Sequence, residues 1–388
     1  MFDVAVAGGG PVGSRVAARL AARGYHVAVF EKKPQPGLKF CCTGIISQEC
    51  VNRFSIPATV VYKTVSSAIF VSPSGYSIRV SYPDTLACIV NRPAFDRYLV
   101  NEAQKQGVEY FFDSPVEKIN LRDNGVVLEI GGVRACNVDA SVVVLASGFG
   151  SALIKGIGLT APALCTGGAQ IEAELNGVED VEVYFDQEIA PGFFSWIVPT
   201  QGGKGLVGLL ARKSPGLFLR KWFGKLASNN KVVPGDYRVN YGGIFFKPAR
   251  RTYGERIVIV GDAAGQVKPT TGGGLYFGLL CADLAAFSID RAFCRKNFSA
   301  KVLSRYEQEW KHLLWKELRM EYYARRFYEH LSNRRIDEIF IRLKSSGILD
   351  DFIRKEKLSF DWHGKLLLKA IRQGAFSGLK RISRIFSF

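Results

Sequence analysis

No run of this chain reaches roughly eighteen uninterrupted apolar residues, so a membrane-spanning helix is not expected. Nor is there a CxxC pair, a cysteine cluster beside histidine, an internal repeat or a low-complexity linker. The eight cysteines, at positions 41, 42, 50, 88, 136, 165, 281 and 294, lack the spacing of a zinc site or a disulfide framework. Most read as buried thiols, and no metal is expected. Cys41, Cys42 and Cys50 are set aside for their neighbourhood. The opening MFDVAVAGGGPVGS passes from Met1 straight into a strand-like run, without the charged, apolar and small-residue succession of an export signal, which points to a cytoplasmic protein.

What is present is ordinary globular composition, 47% apolar and 22% charged over 388 residues. At about 150 residues per domain, two or three domains are expected. The net charge of +17 is uneven: residues 291–388 hold 23 Lys or Arg against 11 Asp or Glu.

Residues 2–7 read as a strand, 11–23 as a helix rich in small residues and His26–Glu31 as a second strand, a βαβ opening. A hairpin about Pro73, Ser74 and Gly75 is expected over 65–90, followed by a helix carrying Phe95, Leu99 and Ala103. Strands at 108–112, 116–121 and 126–130, the last two joined at Asn124-Gly125, lead to an apolar run at Val142–Leu145 that suits a buried parallel strand. From about 160 to 246 the chain is β-like, interrupted by one helix near 215–228. Arg256–Val260 is again a strand, before a helical stretch from Gly272 to about Ala292, and beyond 300 the pattern is helical, aromatic and basic. The expected fold is α/β, α+β overall: a Rossmann-like domain from 1–160 and 247–295, a β-rich substrate domain over 161–246, and a helical basic region over 296–388.

The chemistry concentrates at two places. In Gly8-Gly9-Gly10-Pro11-Val12-Gly13, a GxGxxG spacing falls between a strand and a helix. Gly8 permits the tight turn, Gly10 lets a pyrophosphate approach the backbone, Gly13 allows close helix packing, and the helix N-terminus beyond Pro11 favours phosphate charge. Glu31, with Lys32 beside it, ends the next strand, where a carboxylate accepts from ribose hydroxyls. About 250 residues on, Gly261-Asp262-Ala263-Ala264-Gly265 follows an apolar strand and precedes Gly272-Gly273-Gly274. Asp262 suits polyol hydroxyls. The three glycines open a helix whose N–H groups suit the electron-rich edge of a reduced flavin. NAD alone would not require the second element, so FAD is the expected cofactor.

These segments resemble flavoproteins of the aromatic-hydroxylase type and, within them, the geranylgeranyl reductase family. The resemblance is carried by VAVAGGGPVGS, LKFCCTGIIS at 38–47, VNRPAFDRYL at 90–99, PGFFSWIVP at 191–199 and IVGDAAGQVKPTTGGGLYFG at 259–278, and it spans about residues 1–290. It implies that Arg92 contacts the flavin, Asp262 its ribityl or diphosphate region and Gly272–Gly274 the isoalloxazine ring. It also implies that Cys42, Thr43 and Gly44 lie near the flavin, with Cys42 a candidate proton donor. On chemistry alone Arg92 equally suits a salt bridge and Cys42 a buried thiol. Two positions depart from the family. Phe194 stands where a tyrosine hydroxyl is usual, and Ser147-Gly148 replaces the Asp-Gly of related hydroxylases.

The implied reaction is hydrogenation of C=C bonds in a geranylgeranyl or other polyprenyl chain of a lipid, pigment precursor or quinone, by hydride from flavin N5 and a proton. Phe193, Phe194, Trp196 and Pro199 are candidates to line the apolar substrate site, ordinary core packing being the alternative. With one dinucleotide fingerprint, the electron donor is either NAD(P)H or a reduced iron–sulfur protein. The segment from Lys365 onward is basic, free of acid and apolar at helical spacing. It suits an anionic membrane surface, at the inner face of the cell membrane, or else a solvated helix packed on the protein. No nucleic-acid recognition module accompanies the charge. The sequence sets no oligomeric state. The competing readings are a flavin monooxygenase or halogenase, the latter disfavoured by the single Trp196, and an electron-transfer flavoprotein that reduces quinone.

Overall fold

Five strands pair side by side in parallel. In the computed structural model, which describes residues 1–38, 41–150, 152–345 and 359–364, strand Phe2–Ala7 lies between Val27–Phe30 and Cys136–Leu145. Glu109–Phe111 extends the sheet beyond the first neighbour and Ile257–Ile259 beyond the second. The stretches 4–7, 27–30, 142–145 and 257–259 read as continuous apolar runs because both sheet faces are covered there. On one face Ala5, Ala7, Ala28, Phe30, Val143 and Leu145 pack with Ile119, Val126, Leu128 and Ile130 of an antiparallel hairpin. Helix Pro11–Ala21 packs on strands Phe2–Ala7 and Val27–Phe30 and on helices Arg92–Lys105 and Leu275–Cys294. Arg15 grips Asp283 through two bonds of 2.8 and 3.1 Å, and the Tyr25 hydroxyl donates to Asp290 at 2.8 Å.

The chain divides into two compact units. The first comprises residues 1–39, 92–164 and 244–318; the second comprises 40–91, 165–243 and 319–388. Residues 40–91 therefore group with the second unit, unlike the unbroken 1–160 segment expected from sequence. Strand pairing is the reason. Ser67–Val71 runs parallel to Val181–Tyr184, while Ala87–Val90 pairs with Ile45–Ser47 and Val61–Val65 in a separate small sheet. The hairpin expected over 65–90 is shorter for the same cause: it joins Ser67–Val71 to Ser77–Ser81. Its tip is tied by Asp337, which accepts from the Ser72 hydroxyl at 2.5 Å and the Ser74 hydroxyl at 2.6 Å.

The second unit is built on a seven-stranded sheet in the order Asn240–Lys247, Ala163–Glu174, Lys204–Ala211, Ser195–Pro199, Val181–Tyr184, Ser67–Val71 and Ser77–Ser81. Helix Pro215–Ser228 packs on strand Lys204–Ala211 and sets Trp222 edge-on against Tyr184. That ring shares a face with Glu182, whose buried carboxylate accepts from Lys231 Nζ at 2.6 and 2.8 Å. The apolar run at Leu331, Ile336 and Phe340 packs with Phe70, Ile78 and Phe185. Among the described residues no helix is long and apolar enough to cross a membrane.

Helix Ala300–Tyr328 gives its first turns to the first unit and its last to the second. In the first unit Trp310 is fully buried, and its indole N–H donates to Thr252 Oγ1 at 2.9 Å. Glu307 accepts from the Thr252 amide at 2.7 Å. Trp310→Ala is expected to lower unfolding free energy by about 3–5 kcal/mol through the cavity it leaves. Thr252→Val strands the indole donor at about 1–3 kcal/mol. Urea denaturation of the two variants checks both, and a Trp310→Ala cost near zero would contradict the burial.

Candidate flavin and substrate sites

The parallel strands point their carboxyl ends at one edge, and strand Phe2–Ala7 is where the chain changes direction: its successor lies on one side and Cys136–Leu145 on the other. Such a switch point opens a crevice for ligands. Four loops leave the strands there: Gly8–Gly13, Glu31, Ser147 and Gly261–Gly265.

Each glycine of the first loop does a different job. A β-carbon at Gly13 would stand 2.0 Å from the Gly8 carbonyl oxygen, and one at Gly8, whose φ is +111°, would stand 2.4 Å from the Ala146 carbonyl oxygen. Gly10 has nothing within 4 Å of such an atom. The backbone is thus shut at Gly8 and Gly13 and open at Gly10, on the side from which a phosphate would come. Gly10 caps the helix without a side-chain acceptor, Pro11 follows, and no acid stands in the first turn, so the exposed N–H groups keep their positive character. The Glu31 carboxylate accepts from the Gly9 amide at 2.8 Å and the Lys33 amide at 2.9 Å, which fixes it beside the loop. Lys32 is exposed. The Ser147 hydroxyl is buried without a hydrogen-bond partner among the described residues.

The second loop is packed onto the first through Val12, which lies 2.6 Å from where a β-carbon of Gly278 would be and 3.1 Å from that of Gly261. Gln266 completes the turn: its carbonyl oxygen accepts from the Gly261 amide at 2.8 Å, and its amide donates to the buried Tyr306 hydroxyl at 2.7 Å. Asp262 lies half-buried against the backbone of Gly274, where a β-carbon would come 2.7 Å from its Oδ1. Burial raises its pKa above the usual aspartate value, and the charge of Arg92 pulls the other way. Arg92 also forks onto Asp96, one turn on, at 3.0 and 3.2 Å. Gly272 has φ +75° and Gly273 lies over Lys268, so the glycine run wraps that buried side chain before the helix begins.

The structure therefore gathers Gly8, Gly10, Gly13, Glu31, Arg92, Asp262 and Gly272–Gly274 in the first unit. The donor set fits a flavin dinucleotide. An open helix N-terminus suits the pyrophosphate, a fixed carboxylate the ribose, and a glycine-lined helix start the ring.

The remaining candidates form a second group, within the second unit. Gly44, at φ +71°, donates its amide to Cys42 Sγ at 3.4 Å, and the Cys42 carbonyl accepts from Gln170 Nε2 at 3.3 Å. Cys41 is wedged against Gly168 and Gly242, and burial, with Cys42 beside it, pushes its thiol up to about 12. Cys41 consequently stays protonated at neutral pH. Gln170, Gly208 and Trp196 are successive cross-strand partners and share one sheet face. The indole of Trp196 lies over Gly208, where a β-carbon would come 2.5 Å from the ring. Both Gln170 Oε1 and Trp196 Nε1 are buried without a partner among the described residues.

The expected substrate residues separate on inspection. Phe194 and Trp196 lie 5.8 Å apart as tilted rings. Phe193 is fully buried beneath Arg325, whose guanidinium stands 3.3 Å from its ring centre, and Pro199 ends the strand in the core. Burial lowers the Arg325 pKa to about 9. Sequence reasoning missed Gln170, Asp96 and Arg325. A polar side chain inside an apolar strand, and an acid four residues after Arg92, were the available signals.

Asp262 yields a pH prediction. Its raised pKa means that the folded state holds this proton more tightly than the unfolded chain. The resulting stability is full below the unfolded value and is lost as pH rises through the folded one. Asp262→Asn should thus raise the melting temperature of the flavin-free protein at neutral pH, with the gain vanishing in acid, while weakening flavin retention. Paired thermal melts across pH and flavin absorbance after gel filtration check it. Equal melting of the two proteins at neutral pH would contradict it.

Comparison with known proteins agrees with this geometry. The family described as NAD(P)-binding Rossmann-like domain matches residues 6–65. A digeranylgeranylglycerophospholipid reductase of Methanopyrus kandleri is 32% identical over 90% of this chain and 92% of its own. A geranylgeranyl bacteriochlorophyll reductase-like protein of Thermoplasma acidophilum shares the fold with a TM-score of 0.87 at 22% identity, covering 99% of each chain. The halogenase PltM, solved with phloroglucinol and FAD, superposes at 0.68 with 15% identity over 100% of this chain and 93% of its own.

Proposed function

Because the chain belongs to the digeranylgeranylglycerophospholipid reductase family, we propose that it is an FAD-dependent oxidoreductase that hydrogenates C=C bonds in the geranylgeranyl or other polyprenyl chains of a membrane lipid precursor. The observation that carries this reading is the convergence, in the first unit, of an open helix N-terminus, the fixed Glu31 carboxylate and the glycine run beside Asp262. Bound FAD, once reduced, supplies the hydride.

The protein's own residues do the rest. The Gly8–Gly13 turn and the helix behind it hold the pyrophosphate, Glu31 the ribose, and Asp262, with Arg92 near it, the polyol region. The Gly272–Gly274 run lets the ring approach the backbone. An isolated alkene takes a hydride at one carbon and a proton at the other, and Cys42 is the residue we assign to the proton. The Gln170 amide holds the backbone of Cys42, and the Gly44 amide holds its sulfur. A prenyl chain offers surface and little else, so Trp196 and Phe194 bind it by burial, at about 25 cal/mol per Å² of apolar area. Phe194 brings no hydroxyl to this face.

The reducing equivalents come from NAD(P)H or a reduced iron–sulfur protein. Ser147, in place of an aspartate, favours a donor other than the nicotinamide docking of the hydroxylases. The basic C-terminal region from Lys365, which lies outside the described residues, accords with an enzyme working at the cytoplasmic face of an anionic membrane.

Chemically reduced protein incubated with a digeranylgeranyl glycerolipid should yield lipid heavier by two hydrogens per bond reduced, read by mass spectrometry. Unchanged lipid with oxygen uptake would replace this reading with a monooxygenase. Cys42→Ala should lower kcat by about 10²-fold, at the lower end of the usual contribution of a general acid, while flavin content stays at the wild-type level. An unaltered kcat would remove Cys42 from proton transfer.

A further inference from the structure

The outer face of helix Pro215–Ser228 is a strongly basic surface outside both groups of site residues. Its inner residues Leu219, Trp222 and Leu226 are buried against the sheet. The outer ones include Arg220, Lys221 and Lys225, all exposed, and none of the fourteen residues is acidic. Among the described residues these three cations form no ion pair. Two apolar tips stand beside them: Leu217, on the same outer face, is 55% exposed, and Tyr241 is 60% exposed.

Tyr241 belongs to the edge strand Asn240–Lys247, and it lies against the helix at Gly216, where a β-carbon would come 2.3 Å from its hydroxyl. The next residue, Gly242, touches Cys41, whose Cβ would be 2.8 Å from a glycine β-carbon. One edge strand therefore carries the basic rim on one side and the Cys41–Cys42 loop on the other.

We propose that this rim, formed by Arg220, Lys221, Lys225, Leu217 and Tyr241, docks the protein on an anionic lipid bilayer. The charge is complementary to anionic headgroups, and a leucine and a tyrosine at the same rim are the side chains that enter the headgroup boundary. Docking there brings the Asn240–Lys247 edge to the bilayer surface, with the Cys41–Cys42 loop on the opposite face of that strand. The choice of a bilayer as partner rests on the lipid-reductase reading. The location of the docking face does not.

The test is co-sedimentation of the full chain with vesicles of phosphatidylcholine alone or mixed with phosphatidylglycerol. Binding to the mixed vesicles is expected, weakening with salt. Each basic residue near such a surface adds about fivefold, so Arg220→Gln with Lys221→Gln and Lys225→Gln together should weaken it by about 100-fold. Leu217→Ser with Tyr241→Ser should weaken it on vesicles of either composition. Because these side chains are exposed, unchanged thermal melts should accompany the loss. Unaltered binding of the triple variant, or binding abolished only by removing residues 365–388, overturns the proposal. Reduction of a detergent-dispersed prenyl lipid should be the same for wild type and triple variant. If neither protein reduces it while vesicle binding follows the pattern above, the reductase reading falls and the docking face stands.

Discussion

A β-carbon at Gly13 would meet the Gly8 carbonyl at 2.0 Å, and Val12 between them fills the space left by two more glycines, Gly261 and Gly278. This crossing of backbones is the constraint on which the first unit depends. It brings the helix Pro11–Ala21 close enough to the strand ends for its N-terminal amides to face the crevice. It also draws the Gly261–Gly265 turn, 250 residues away in sequence, onto the same point. The two motifs meet because a single valine needs a glycine from each of two neighbouring segments. The Arg15–Asp283 and Tyr25–Asp290 contacts then hold the two helices in the register that the glycines permit.

The second unit obeys a similar rule at a different scale. Trp196 lies across Gly208, and any side chain there would displace the ring. The strand next to it presents Gly168 and Gln170 on the same face. Glycine at 168 admits Cys41, while the amide at 170 reaches the carbonyl of Cys42. Small residues on this part of the sheet thus make room for a loop and for one large flat ring, whereas the far end of the face is filled by Phe70, Ile78 and Phe185 with the helix Asn333–Ser345. The sheet is a packed core at one end and a shaped surface at the other.

Much of the first unit is legible in the sequence because its signals are local. Parallel strands buried on both faces read as apolar runs, and glycines at this spacing between strand and helix are what a phosphate-binding turn requires. The expected strand at Phe2–Ala7 and the helices Pro11–Ala21 and Pro215–Ser228 lie where patterning puts them. The second unit is less legible because its organisation comes from long-range pairing. Nothing near Ser67–Val71 announces that it will run parallel to Val181–Tyr184, so residues 40–91 read as part of the preceding domain. Gln170 escapes notice for the related reason that its meaning depends on Cys42, 128 residues earlier. Phe193 reads as a pocket wall, yet its ring lies under Arg325, a partner no local pattern could supply.

The paired cysteines show how neighbours of one kind come to differ. Cys41 is held between the glycines of two strands, and its thiol, pushed up to about 12, is locked in the neutral form. Cys42, one residue on, has its carbonyl tied to the sheet by Gln170 and its sulfur tied to the Gly44 amide. Cys41 thus fixes the start of the loop against the sheet. A glycine at 242 is necessary to that arrangement, because a β-carbon there would come 2.8 Å from that of Cys41 and push it out.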